Sequence, residues 1–139
     1  MWNKIVSVLS LTATLLLSAC SSETKFAYKT FDMDTYRTLG RDFEFPADKP
    51  FDWVCRLGKN PGERVTVIIQ AKELVWVDVT KESQNFNKSD PFVHGHIEGL
   101  DPGEYRIVLV GGNSAKAAAE FEFRLFDSAY PEKDDNEDD

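Results

Sequence analysis

Cysteine is nearly absent. Cys20 and Cys55 are the only two, so the chain cannot be a disulfide-stapled scaffold of the kind built on several bridges. Cations are in deficit as well: 16 Lys and Arg face 24 Asp and Glu, for a formal net charge of −8. Phosphate backbones are gripped by clustered Lys and Arg, so this balance argues against nucleic acid, and equally against electrostatic docking on anionic lipid. No apolar run reaches the ~20 residues that a membrane-spanning helix needs. The signatures of common active sites are missing: there is no Gly-x-Ser-x-Gly, no zinc-protease helix, no phosphate loop and no Cys-x-x-Cys. Gly111-Gly112-Asn113-Ser114-Ala115-Lys116 lacks the Gly-Lys-Ser/Thr spacing of a phosphate loop and reads as a hairpin turn. Asp32-Met33-Asp34 opens like a calcium loop, yet Tyr36, Arg37 and Phe43 stand where a fifth-position Asp or Asn, a Gly and a Glu are required. A nucleophilic triad could be assembled only from His94 or His96 and a loop Ser. These absences predict a protein that is not an enzyme.

What is present begins at the N-terminus. Lys4 supplies a positive start, and Ile5 to Leu17 is apolar apart from Ser and Thr. That length suits a secretory signal. The run closes on Leu17-Ser18-Ala19-Cys20, which resembles the lipobox of bacterial lipoproteins. The resemblance implies cleavage before Cys20, a diacylglycerol on its thiol and an acylated new amine. Several acyl chains together hold a protein on a membrane stably, where one does not. It also implies a cell-envelope location. In a Gram-negative cell, the Ser21 that follows, in place of Asp, implies the outer membrane rather than the inner.

The expected organisation is therefore a signal peptide over 1–19, a lipidated Cys20 with a short polar linker over 20–25, one β domain over 26–127 and an acidic tail over 128–139. Removing 1–19, whose one charged side chain is Lys4, leaves a net charge of −9. From Asp127 to Asp139 there are seven acids and one Lys. Like charges this dense repel one another, so the tail is expected to be disordered, a solubilising extension or a docking arm for a basic partner or divalent ions. Lipidation would leave Cys55 without an intrachain partner. Cys55 alternates with Phe51, Trp53 and Leu57 on one strand face, which predicts a buried, inert thiol.

The rest alternates as strands do, and no helical period appears after Cys20. Phe26 and Tyr28 suggest a ragged first strand; Phe43 and Phe45 point inward from a second. Phe51–Leu57, Arg64–Gln70 and Glu73–Thr80 follow, the last two separated by Ala71-Lys72. Glu73–Thr80 is apolar on both sides, which predicts a central strand rather than an edge. Residues 81–90 read as a polar loop. Pro91–Glu98, Glu104–Val110 and Ala119–Phe126 complete the set. Seven or eight short strands at this spacing predict an all-β protein, a single Ig-like or jelly-roll-type β-sandwich.

Gly99-Leu100-Asp101-Pro102-Gly103-Glu104-Tyr105 resembles the Leu-x-Pro-Gly-x-Tyr corner of bacterial Ig-like and pre-peptidase C-terminal sandwich modules. The resemblance implies that Leu100 plugs the core, Pro102 and Gly103 make the bend, and Tyr105 returns its hydroxyl to the backbone upstream. Such modules mostly bind, space or assemble.

His94-Gly95-His96 is the most suggestive cluster. On a strand, residues i and i+2 point the same way, so two imidazoles could meet one divalent metal, with Glu98 or Asp90 as a third ligand. The alternative is a solvated outer face opposite Val93 and Ile97, with Gly95 allowing a bulge. Asn87-Lys88-Ser89 matches a glycosylation triplet that a bacterial lipoprotein does not use. The sequence thus predicts a lipid-anchored, non-catalytic envelope module that binds a protein or glycan. The alternatives are a metal-binding lipoprotein using His94 and His96, or an inhibitor of a secreted enzyme.

Overall fold

Strict alternation of apolar and polar residues commits most of the chain to strands. The structure, a computed structural model, describes residues 24–112 and 116–129. The signal-peptide and lipidation readings, Cys20 included, and nearly all of the acidic tail lie outside the described residues. Nine strands run in order: β1 (Lys25–Lys29), β2 (Arg37–Thr38), β3 (Phe43–Pro46), β4 (Phe51–Arg56), β5 (Arg64–Lys72), β6 (Trp76–Asn85), β7 (Phe92–Ile97), β8 (Gly103–Gly111) and β9 (Ala117–Phe126). That is more than the seven or eight expected, because the two-residue β2 is too short to leave a period in the sequence.

The strands form two sheets, β2-β1-β4-β7 and β3-β9-β8-β5-β6. All neighbours are antiparallel except β3 and β9, which run parallel. β1 lies inside its sheet, between the two-residue β2 and β4, and the chain then crosses to the other sheet, where the short β3 runs parallel to β9. The core lies between the sheets. Phe51, Trp53, Cys55 and Leu57 are buried on one side, and Val65, Val67, Ile69, Ile107, Leu109, Phe123 and Leu125 on the other, each set spaced by two as the pleat requires. Aromatic rings cross the interface: Phe51 meets Phe123 edge-on at 5.9 Å, and Phe26 lies 5.3 Å from Phe121. Cys55 is free and buried, and desolvation pushes its thiol pKa up to about 12. A thiol held protonated to that degree is a poor nucleophile.

Three local expectations are corrected. β6 is an edge strand, not a central one, and Val77 and Val79 are exposed on it. The turn before it falls at 73–75, since Ala71 pairs with Val77 and Lys72 with Trp76. β6 also continues to Asn85 through the polar stretch read as a loop. At an edge a strand needs no apolar face, so hydrophobicity is the wrong guide there.

Gly95 makes no bulge. The β4–β7 pairing runs unbroken from Phe51↔Ile97 to Arg56↔Phe92. The glycine instead makes room for the indole of Trp53 directly opposite, whose atoms lie 2.2–2.4 Å from where a Cβ would sit. The Trp53 Nε1–H beneath is buried without an acceptor, an orphan donor that large apolar packing has to offset.

Candidate functional site

The two ends of the sandwich differ. At the end where the chain enters, Lys25 pairs with Arg56, and the Gly58 N–H donates to Thr24 Oγ1 at 3.1 Å. The loops there, 57–63 and 86–91, with Gly112 and Lys116 at the end of β8 and the start of β9, carry Lys59, Lys88 and Lys116 against Glu63 and Asp90. The opposite end holds loops 30–36, 47–50, 73–75 and 98–102 and the start of the tail, 127–129. Ala47 N–H donates to Phe126 O at 2.9 Å, and Ser128 Oγ to Asp48 Oδ1 at 3.1 Å, which ties the tail's first residues to this end. Its loops hold Asp32, Asp34, Asp48, Glu73, Glu98, Asp101 and Asp127 against Lys49 alone. The far end also carries the most exposed large apolar side chains among the described residues: Leu74, fully exposed, Phe31 at 95% and Val75 at 70%. Leu74 and Val75 form the tip of the β5–β6 hairpin, pinned by a 3.0 Å bond from Glu73 N–H to Val75 O.

Behind that tip, the outer face of the five-stranded sheet carries a linked polar surface. The Arg106 guanidinium lies 4.4 Å from the Trp76 ring centroid, and its Nε donates to Gln70 Oε1 at 2.6 Å. Gln70 Nε2 in turn donates to Asp78 Oδ1 at 2.7 Å. Register explains the chain of contacts: Arg106 pairs with Gln70 and Gln70 with Asp78 across three adjacent strands. Beside it a concavity of about 590 Å³ opens between Trp76, β8, β9 and the 41–42 segment. Its carboxylates Asp42, Glu44, Glu104, Glu120 and Glu122 outnumber its cations Arg41, Lys72 and Arg124. Lys72 pairs with Glu104 at 3.4 Å and Arg124 with Glu44 at 3.7 Å, all four largely solvated.

His94 and His96 sit on the solvent side of β7, as their spacing predicts, with Val93 and Ile97 buried beneath. The two histidines do not share a partner. His96 Nδ1 lies 2.6 Å from Asp52 Oδ1, and its Nε2 lies 2.9 Å from Glu98 Oε2. The Asp52 bond first, then the Glu98 bond, raise the His96 pKa above its usual value, because both partners favour the charged ring. Both ring nitrogens of His96 are thus engaged by carboxylate oxygens. Among the described residues, no group of three or more His, Cys, Asp or Glu is arranged to hold one. Asp90, the other nominated ligand, lies at the opposite end of β7, bridged to Asn87. His94 uses its backbone: its N–H donates to Gln84 Oε1 at 3.3 Å, and its carbonyl accepts from Gln84 Nε2.

At the corner, the Tyr105 hydroxyl donates to the Asp101 carbonyl at 2.5 Å, and the ring is buried, stacked on Phe123 at 5.7 Å. Leu100 packs against the core from the loop, and Gly103 takes a φ of 158° at the bend after Pro102. Asp52 and the hairpin tip were not singled out from the sequence. Asp52 occupies an outward position of its strand, but only the fold brings it opposite His96.

No protein-family model matches this chain, and no curated protein matches it.

Proposed function

We propose that the chain is a lipid-anchored lipoprotein of a bacterial envelope, whose sandwich works as a non-catalytic binding or assembly module for an envelope or extracellular protein or glycan. The observation that carries the binding half is the bare apolar hairpin tip, Leu74 and Val75, at the end opposite the one where the chain enters. Exposed apolar side chains gathered at one place mark contact surfaces more often than scattered ones do. Four residue steps lead from Cys20 to Thr24, a reach of at most ~14 Å, so an anchor at Cys20 would hold the near end against the bilayer. The nine-residue β5 then carries the tip about 30 Å outward.

Two experiments test the two halves. The Cys20→Ser variant is expected to lose incorporated palmitate and leave the membrane fraction; unchanged membrane association overturns the anchor. Affinity capture of the lipidated protein, crosslinked in place in native membranes, is expected to return a stoichiometric envelope component.

A further inference from the structure

We infer that the far end of the sandwich docks a basic protein surface, one that combines an apolar recess with Lys and Arg side chains. The inference rests on the binding-module reading above and adds which end engages and what chemistry the partner presents.

The contact feature is the apolar hairpin, and Phe31 is a second bare apolar side chain at the same end. Phe31 lies in the turn after β1, in the other sheet, yet at the same end as Leu74 and Val75. Two sheets thus each lift apolar side chains clear of their own packing at one end. Among the described residues of the near end no large apolar side chain is comparably bare; Phe92 is exposed at 42%. Apolar groups bared side by side, as at Leu74 and Val75, mark contact surfaces.

Charge selects the occupant. The loops around the apolar residues hold seven carboxylates against one lysine, whereas those of the near end hold three lysines against two carboxylates. The concavity that opens beneath the hairpin also has an excess of carboxylates, five against three cations. A field of one sign steers partners of the other sign and rejects its like. Two copies meeting tip to tip would oppose these acidic ends, and an anionic lipid surface would be repelled. A neutral glycan would find Leu and Val at the tip in place of an aromatic platform, and the one tryptophan nearby has Arg106 over its ring. A cationic protein surface satisfies both the apolar tip and the charge.

The test places a photo-reactive benzophenone side chain at one position at a time in the full-length lipidated protein, in cells that make it. Positions 74 and 31 report the far end, 59 the near end and 66 the outer sheet face. The attached peptide is then identified by mass spectrometry. Adducts are expected from 74 and 31, on a protein segment with more Lys and Arg than Asp and Glu. Against that purified protein, Leu74→Ser/Val75→Ser and, separately, Asp34→Asn/Glu73→Gln should each weaken affinity at least tenfold. Raising the salt should weaken the parent and leave the charge variant less affected. Adducts only from 59 or 66 would overturn this inference while leaving the binding module standing. So would adducts from 74 to lipid, to a second copy or to an acidic segment, or variants that bind as the parent does. No adduct from any position would overturn both.

Discussion

The near end of the sandwich is closed and the far end is open. Near the point of entry the loops are knitted into the strands: Leu57 N–H donates to Pro91 O, Phe86 N–H to Glu63 O, and Gly112 N–H to Arg64 O. Gly111 backs so closely onto Pro61 that an added Cβ would lie 2.5 Å from its carbonyl oxygen. Charges there nearly cancel. At the far end the loops are tied too, by Tyr105 on Asp101 and by Ala47 on Phe126, yet apolar side chains stay in water among charges of one sign. The contrast separates two demands on a small domain. One end is finished by its own packing, and the other is left for something else to cover.

The contrast can be broken by substitution. The largest effect is expected at the near end: Gly111→Ala must displace backbone at Pro61, an overpacking cost of about 1–3 kcal/mol, read as a lower midpoint in chemical denaturation. A neutral result would mean that this end is looser than described. Tyr105→Phe at the far-end corner should cost about 1 kcal/mol or more, since the ring stays buried while the Asp101 carbonyl loses its donor. The pH dependence comes next. The raised His96 pKa means that its bonds to Asp52 and Glu98 stabilise the fold fully below the unfolded value of about 6.5. That contribution is lost as pH rises through the folded pKa. The His96 side chain is about half exposed (51%), so solvent screening holds the effect below ~1 kcal/mol. Stability measured from pH 5.5 to 8 should fall by that amount in the parent and stay flatter in His96→Gln. The smallest effect belongs to the open tip: Leu74→Ser should change stability by less than about 0.5 kcal/mol, because that side chain packs on nothing. A larger loss would show the tip to be part of the core.

Much of this arrangement is legible in the sequence because the core obeys the pleat. Phe51, Trp53, Cys55 and Leu57 alternate and are all buried, and so are Val65, Val67 and Ile69. The corner is legible for a similar reason: its bend and its tyrosine are local in sequence. What failed were the features that depend on neighbours. β6 looks central by composition and is an edge by topology. Gly95 looks like a kink and is a seat for Trp53, which stands 42 residues away in sequence. The His96 partners divide the same way: Glu98 follows from spacing, whereas Asp52 follows only from strand pairing. Periodicity reports which face of a strand is dry. It does not report which strand lies alongside.

Gln84 settles a further matter. Its side-chain amide reaches from β6 to the margin of the other sheet and bonds both the N–H and the carbonyl of His94. A backbone amide of an adjoining strand would make the same pair of bonds. β7 ends its sheet, and a bare sheet margin recruits other chains. The proposed anchor would hold molecules on one surface, where sideways encounters bring margin against margin. Gln84 caps the middle of that margin, so a chain arriving there finds these two backbone groups already bonded.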